Sequence, residues 1–257
     1  MKTEKASFMF KGKKLGGFLY IPSGKGPFPA VVLVHGFSGG THEEKNKVMC
    51  IELARNGFVA FMFDFYNAPN GLSEIPIEET TVSLQLQVLR KAIDYLVALP
   101  FVNTAKIGLT GHSLGGMTVL LYTHTDARIK ALVVQSAVSN FGETKSTAFD
   151  YHADWKKKGY KIFDKSWGKM RINHSFVDDG LKHKVYAAIE KIHCPILIFH
   201  GDKDESVSLS QAQQQIKHCK PTDKLVIIPG ADHCYKINNT LPMATKLLVD
   251  FMKEHLQ

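Results

Sequence analysis

Nowhere in this chain of 257 residues do apolar residues run on for the roughly 20 positions that a membrane-spanning helix needs. Cysteine is scarce. The four, Cys50, Cys194, Cys219 and Cys234, are too few and too irregularly spaced for a disulfide framework or a zinc motif, which suits a reducing compartment. No pair of the twelve histidines has helical metal-ligand spacing with a third ligand, so neither a metal nor another cofactor is expected. Met1 to Ser7 holds no apolar core and no small-residue cleavage site, so no secretory leader is read and a cytoplasmic location is expected. Repeats and low-complexity linkers are also lacking. A content of 44% apolar and 22% charged residues is that of an ordinary globular protein.

Charge is unevenly signed. The formal net charge is +8, but the lysines are spread beside acidic residues, and the densest group, Lys156, Lys157 and Lys158 with Lys161, accompanies no nucleic-acid-binding motif. That group reads as solvated surface. The excess of positive charge can still favour anionic substrates or surfaces weakly.

Against these absences stands one dense motif. Gly111-His112-Ser113-Leu114-Gly115 follows the apolar run from Lys106 to Thr110 and precedes Gly116-Met117-Thr118-Val119-Leu120-Leu121. A Gly-x-Ser-x-Gly therefore sits where a strand turns sharply into a helix, a place that forces the serine into a strained backbone and pushes its hydroxyl into the open. Ser113 is the candidate nucleophile. A hydroxyl needs a base to take its proton, and the base needs an acid to orient it. Cys194 to Gly201 is a buried strand followed by Asp202-Lys203-Asp204, and Leu225 to Ile228 is another, followed by Pro229-Gly230-Ala231-Asp232-His233. Ser, Asp and His thus occur in that order, each in a loop after a strand, and in a parallel sheet such loops share one edge.

On these residues the chain resembles the α/β-hydrolases over nearly its whole length. The resemblance implies an α/β fold with a mostly parallel central sheet flanked by helices, and a serine hydrolase activity without a cofactor. It implies Asp204 as the acid, because Gly201, Asp204 and Val207 fit the family's Gly-x-x-Asp-x-x-Val pattern; Asp202 reads as a turn former. It makes His233 the base. An oxyanion hole follows from the chemistry, since acyl transfer builds negative charge on the carbonyl oxygen. Leu114, directly after the nucleophile, offers one amide. Val31 to Val34 is a buried strand running into His35-Gly36-Phe37-Ser38-Gly39-Gly40, and similarity to the family's His-Gly loop gives the Phe37 amide as the second.

Strands and helices alternate along the rest. Residues 7–11 and 15–21 predict an antiparallel hairpin at the sheet edge, and helices are expected near 44–55, 80–98 and 240–255. The exception is 138–190. A connection this long is usually functional, and residues 138–190 are expected to form a cap over a core of 1–137 and 191–257. This segment holds both tryptophans. Trp155, Trp167 and Tyr160 are the candidate substrate-binding residues, although aromatics of this kind also make a cap's own small core.

The expected function is a serine carboxylic ester hydrolase working through an acyl-enzyme. Length, His-Gly-Phe loop and cap resemble bacterial feruloyl and cinnamoyl esterases and monoglyceride lipases, which implies aromatic hydroxycinnamate-type or medium acyl esters. The alternatives are a thioesterase, a peptidase of the prolyl oligopeptidase type, whose usual propeller is not in these residues, and a catalytically silent ligand-binding relative. The expected partner is a small-molecule ester, with no nucleic acid and no membrane span, and a homodimer is left open.

Overall fold

Runs of β-branched and aromatic residues buried on both faces pair best in the middle of a parallel sheet whose crossovers are helices. The computed structural model, which describes residues 1–67, 71–141, 153–165 and 168–257, has this arrangement. Its strands are β1 (Lys2–Phe10), β2 (Lys13–Ile21), β3 (Phe28–Val34), β4 (Val59–Phe63), β5 (Val102–His112) and β6 (Ile129–Gln135), then, beyond a long insertion, β9 (Ile196–Gly201) and β10 (Lys224–Ile228). They lie side by side in the order β1-β2-β4-β3-β5-β6-β9-β10. The segment from β3 onward is parallel, and β1 and β2 form an antiparallel hairpin on the edge. The expected hairpin is longer at its N-terminal end, with Lys2 opposite Ile21.

Alternation along each strand sorts its side chains into two cores. Val32 and Val34 join Leu89, Ile93 and Val119 from α2 (Val82–Val97) and α3 (Leu114–Thr123), whereas Val31 and Leu33 join Met49, Leu53, Leu248 and Met252 from α1 (Glu44–Arg55) and α8 (Leu241–Leu256). The Thr81 hydroxyl caps α2 by accepting from the Leu84 N–H at 3.0 Å, a contact worth about 1 kcal/mol. α7 (Leu209–Lys217) completes the crossover between β9 and β10.

Between β6 and β9 the described residues form α4 (Ala153–Lys158), an antiparallel two-stranded sheet of β7 (Tyr160–Lys165) and β8 (Gly168–Asn173), α5 (Ser175–Gly180) and α6 (Val185–Ile189). Asp179 ties this region to the main body. Its carboxylate accepts from the Ser83 N–H at 2.8 Å and the Ser83 hydroxyl at 2.7 Å, at the first turn of α2. His183 lies beside the same pair, 3.3 Å from Asp179 and 3.2 Å from Ser83. No helix among the described residues is long and apolar enough to cross a membrane.

Candidate active site

β3, β5, β9 and β10 all end on one edge of the sheet, and the loops that leave them carry the chemistry. At the end of β5 the chain reverses into α3 through Ser113, whose backbone has φ 56° and ψ −118°. A non-glycine residue at positive φ is strained by about 1–3 kcal/mol. The turn is tight enough that a Cβ on Gly111 would lie 2.3 Å from the Gly115 carbonyl oxygen. Three backbone bonds over-determine it: the Ser113 N–H donates to Gln135 at 2.9 Å, and the Ser113 carbonyl accepts from Met117 at 3.1 Å and Val138 at 3.2 Å. Ser113 itself is 8% exposed.

The loop after β3 presses on this turn. A Cβ on Gly36 would stand 3.1 Å from the Ser113 Cβ and 3.2 Å from His112 Nδ1, tighter than ordinary contact, so this loop lies closely against the serine turn, and Phe37 is its next residue. Asp64, buried at the end of β4, holds this loop: it accepts from the Thr41 N–H at 2.6 Å and the Thr41 hydroxyl at 3.0 Å, and also from Leu72 N–H at 2.8 Å. His35 takes part too, its Nε2 accepting from the Phe65 N–H at 3.1 Å, and burial keeps its imidazole below the ordinary histidine range. The Leu114 N–H opens α3 and has no partner within its own helix.

The loops after β9 and β10 bring Asp204 and His233 together. His233 Nδ1 lies 2.7 Å from Asp204 Oδ2, with the aspartate side chain fully buried and the histidine 18% exposed. Asp204 Oδ1 accepts from the N–H groups of Ser206 at 2.9 Å and Val207 at 2.8 Å. His200 adds a further contact, its Nε2 standing 3.2 Å from Asp204 Oδ2 and 2.9 Å from the Val207 carbonyl. Burial pushes the Asp204 carboxyl up, but the hydrogen bonds from His200, His233 and Val207 outweigh it and hold the group well below the usual carboxylate range. Asp202 has a different task. It accepts from the Gly230 N–H at 2.6 Å and so joins the two loops rather than facing the imidazole.

His112 links the serine turn to the histidine loop. Burial first, then the nearby Lys45 and His233, keep its imidazole well below the ordinary range, so it is neutral and its Nε2–H donates to the His233 carbonyl at 2.7 Å. Lys45 is itself buried, its ammonium 5.8 Å above the Tyr235 ring.

Of the aromatic candidates in the insertion, Trp155 is 2% exposed and packs edge-on to Phe163 at 5.7 Å and His174 at 5.8 Å. Phe163 reaches Phe37, with ring centroids 5.6 Å apart. Trp155 is thus one ring removed from the loop beside Ser113. Tyr160 lies under Arg171, 4.1 Å from the guanidinium carbon to the ring, and Trp167 is outside the described residues. A cavity of about 390 Å³ opens between α3 and the insertion, lined among others by Met117, Ser139, Phe141, Leu181, His183 and Tyr186. Gln211 holds two of its lining residues from behind, accepting from the N–H groups of Ser139 at 2.7 Å and Asn140 at 3.1 Å. Asp64, Gln211, His200 and this cavity were not singled out from the sequence. The first three act through lone polar contacts that leave no periodic trace, although the aspartate after the apolar run of β4 is the kind of strand-end carboxylate that marks such a brace.

Comparison with known proteins places these features in context. The prolyl oligopeptidase family matches residues 86–257, and the FrsA-like esterases match residues 2–146. The ferulic-acid-bound structure of Est1E from Butyrivibrio proteoclasticus is 26% identical, superimposes with a TM-score of 0.81, and covers 97% of this chain and 98% of its own. Acyl-coenzyme A thioesterase 6 of Homo sapiens is 24% identical over 84% of this chain and 51% of its own length, and acyl-coenzyme A amino acid N-acyltransferase 2 of Mus musculus is 24% identical over 86% and 52%. The chain spans about half the length of these two curated relatives. The fold is that of an α/β-hydrolase, and the matches are those of an esterase-type hydrolase.

Proposed function

Because the chain belongs to the prolyl oligopeptidase family over residues 86–257 and to the FrsA-like esterases over residues 2–146, we propose that it is a serine hydrolase that cleaves carboxylic esters or thioesters through an acyl-enzyme. The observation that carries this reading is the buried Asp204 at 2.7 Å from His233 Nδ1, on the sheet edge where Ser113 is held in its strained turn. Ser113 Oγ attacks the carbonyl carbon and His233 takes its proton. Asp204, kept ionised, fixes the imidazole with Nδ1–H toward itself and steadies the cation that forms. The oxyanion develops toward the amides of Phe37 and Leu114, donors whose positions are set before substrate arrives and whose loss typically costs about 3 kcal/mol each. His233 then returns the proton to the leaving group, and a water activated by the same imidazole cleaves the acyl-enzyme.

Residues 138–190 act as a cap in this reading. The cavity beside Met117 is within the range of small-molecule sites and offers room for an aromatic, hydroxycinnamate-type, or medium-length acyl part. Thioester cleavage uses the same steps, and the acyl-coenzyme A relatives support it as the second reading. Fluorophosphonate labelling followed by peptide mapping tests the proposal. Labelling confined to Ser113, lost in Ser113→Ala together with ester turnover, is the expected result; a wild-type protein that neither labels nor turns over any of a panel of acetate, octanoate and hydroxycinnamate esters overturns it.

A further inference from the structure

A surface hairpin packed on a core ordinarily turns its apolar residues inward and its charges outward, because burying an ammonium costs free energy that burying an isoleucine gains. β7 breaks this rule at Lys161, Ile162 and Lys165 and keeps it at Phe163 and Asp164. Lys161, Phe163 and Lys165 face inward and are half-buried, while Ile162, 49% exposed, and Asp164 face solvent. Its partner β8 follows the usual rule, with Met170 and Ile172 buried opposite Phe163 and Lys161. Such an inversion in one strand of a pair marks a functional demand on the inward face.

The inward lysines converge on the residue beside the nucleophile. The Lys165 ammonium stands 5.9 Å above the ring of Phe37, and the Lys161 ammonium 5.1 Å from Phe163, which itself packs on Phe37. Among the described residues no carboxylate lies within ion-pair distance of Lys165, and burial lowers its affinity for a proton. Opposite Lys165 in the register is Gly168, where an added Cβ would meet nothing within 4 Å. A half-desolvated cation with no counter-charge among the described residues thus borders open space, against the ring of Phe37, the residue after Gly36 in the loop that presses on the Ser113 turn.

We propose that Lys165 is an anion-recognition residue, and that the preferred substrates carry a negative group, a carboxylate or a phosphate, that reaches the inner face of β7. This rests on the hydrolase reading above and narrows it from esters in general to anionic esters or thioesters. The charge has two possible carriers, the acyl part, as in a half-ester of a dicarboxylic acid, or the leaving group, as in an acyl-coenzyme A.

The test compares kcat/KM within matched pairs: mono-p-nitrophenyl succinate against p-nitrophenyl acetate for a charge on the acyl side, and acetyl-coenzyme A against S-phenyl thioacetate for a charge on the leaving group. In Lys165→Met the anionic-to-neutral ratio should fall roughly five- to tenfold in one pair, which identifies the carrier, while Lys165→Arg should keep most of it. Raising ionic strength should erode the wild-type ratio more than that of Lys165→Met. Calorimetric titration of succinate and of free coenzyme A into Ser113→Ala, with and without Lys165→Met, reads the same subsite without chemistry. Lysine-dependent binding in a protein that hydrolyses nothing would sink the hydrolase reading and leave the anion site standing. Ratios in both pairs unchanged by Lys165→Met, or no lysine-dependent binding of either anion, overturn the proposal.

Discussion

Replacing Ser113 by glycine should make the protein more stable than replacing it by alanine. Both substitutions delete the hydroxyl, but alanine keeps a Cβ in a backbone of φ 56° and ψ −118°, and glycine does not. Relief of that conformation is worth about 1–3 kcal/mol, and the greater freedom of glycine in the unfolded chain takes back about 0.5–1 kcal/mol. The difference between the variants is therefore about 1 kcal/mol in favour of glycine, and at most about 2.5. At roughly 2–4 °C per kcal/mol for a domain near this size, Ser113→Gly should melt about 2–4 °C above Ser113→Ala, and at most about 10 °C above it. Differential scanning calorimetry of the two inactive variants, with urea unfolding as a check, measures this directly. If Ser113→Gly melts at or below Ser113→Ala, the turn stores no strain at this residue, and the argument that the fold gives up stability to present the hydroxyl is wrong.

Other substitutions separate the parts of the site. Asp204→Asn should lower kcat by about three to four orders of magnitude, because the amide cannot steady the imidazolium, whereas Asp202→Asn should cost no more than a few-fold, since an amide oxygen still accepts from Gly230; a reversed order in steady-state assays contradicts the assignment. His112→Leu strips the His233 carbonyl of its donor, so stopped-flow acylation rates should fall while Gln at the same place restores part of the loss; equal rates in all three proteins would leave His112 a packing residue. Asp126 is pushed up by burial but pulled down to about 2 by Arg128 and Tyr122. A carboxyl depressed in the folded state stabilises above its unfolded value near 3.8 and loses that contribution as pH falls toward about 2, here about 2 kcal/mol in all. Urea unfolding between pH 4 and pH 2 should therefore show a steeper slope in the wild type than in Asp126→Asn, in which the other depressed carboxyls such as Asp204 still contribute.

The features legible in the amino-acid order are those that repeat or crowd together. Val31 to Val34, the residues before Ser113 and the apolar face of α2 announce themselves through period and run length, and the order Ser, Asp, His follows from which strand each loop leaves. Position across the sheet is not written that way, and nothing local says that β4 lies between β2 and β3. Single polar contacts are equally silent. Asp64 meets Thr41 across 23 positions and Gln211 meets Ser139 across 72, each through one side chain with no pattern around it. β7 misled for the opposite reason: Lys161 stands in a lysine-rich stretch that reads as solvated surface, and only the register with β8 reveals which of its residues turn inward.

The strand that delivers His233 is the last in the sheet and is weakly covered. β10 borders β9 alone, Ile227 is 43% exposed, and only Ile228 is fully buried along it. Segments like this open by themselves, at a free energy well below that of the whole domain, and exchange their amide hydrogens early. His233, the base of the proposed mechanism, is therefore mounted on an edge of the molecule prone to part company with the rest, and the Asp202 to Gly230 and His112 to His233 bonds are the rivets across that seam. On warming, the enzyme would fall silent before it melts, and regain its competence on cooling without ever having unfolded.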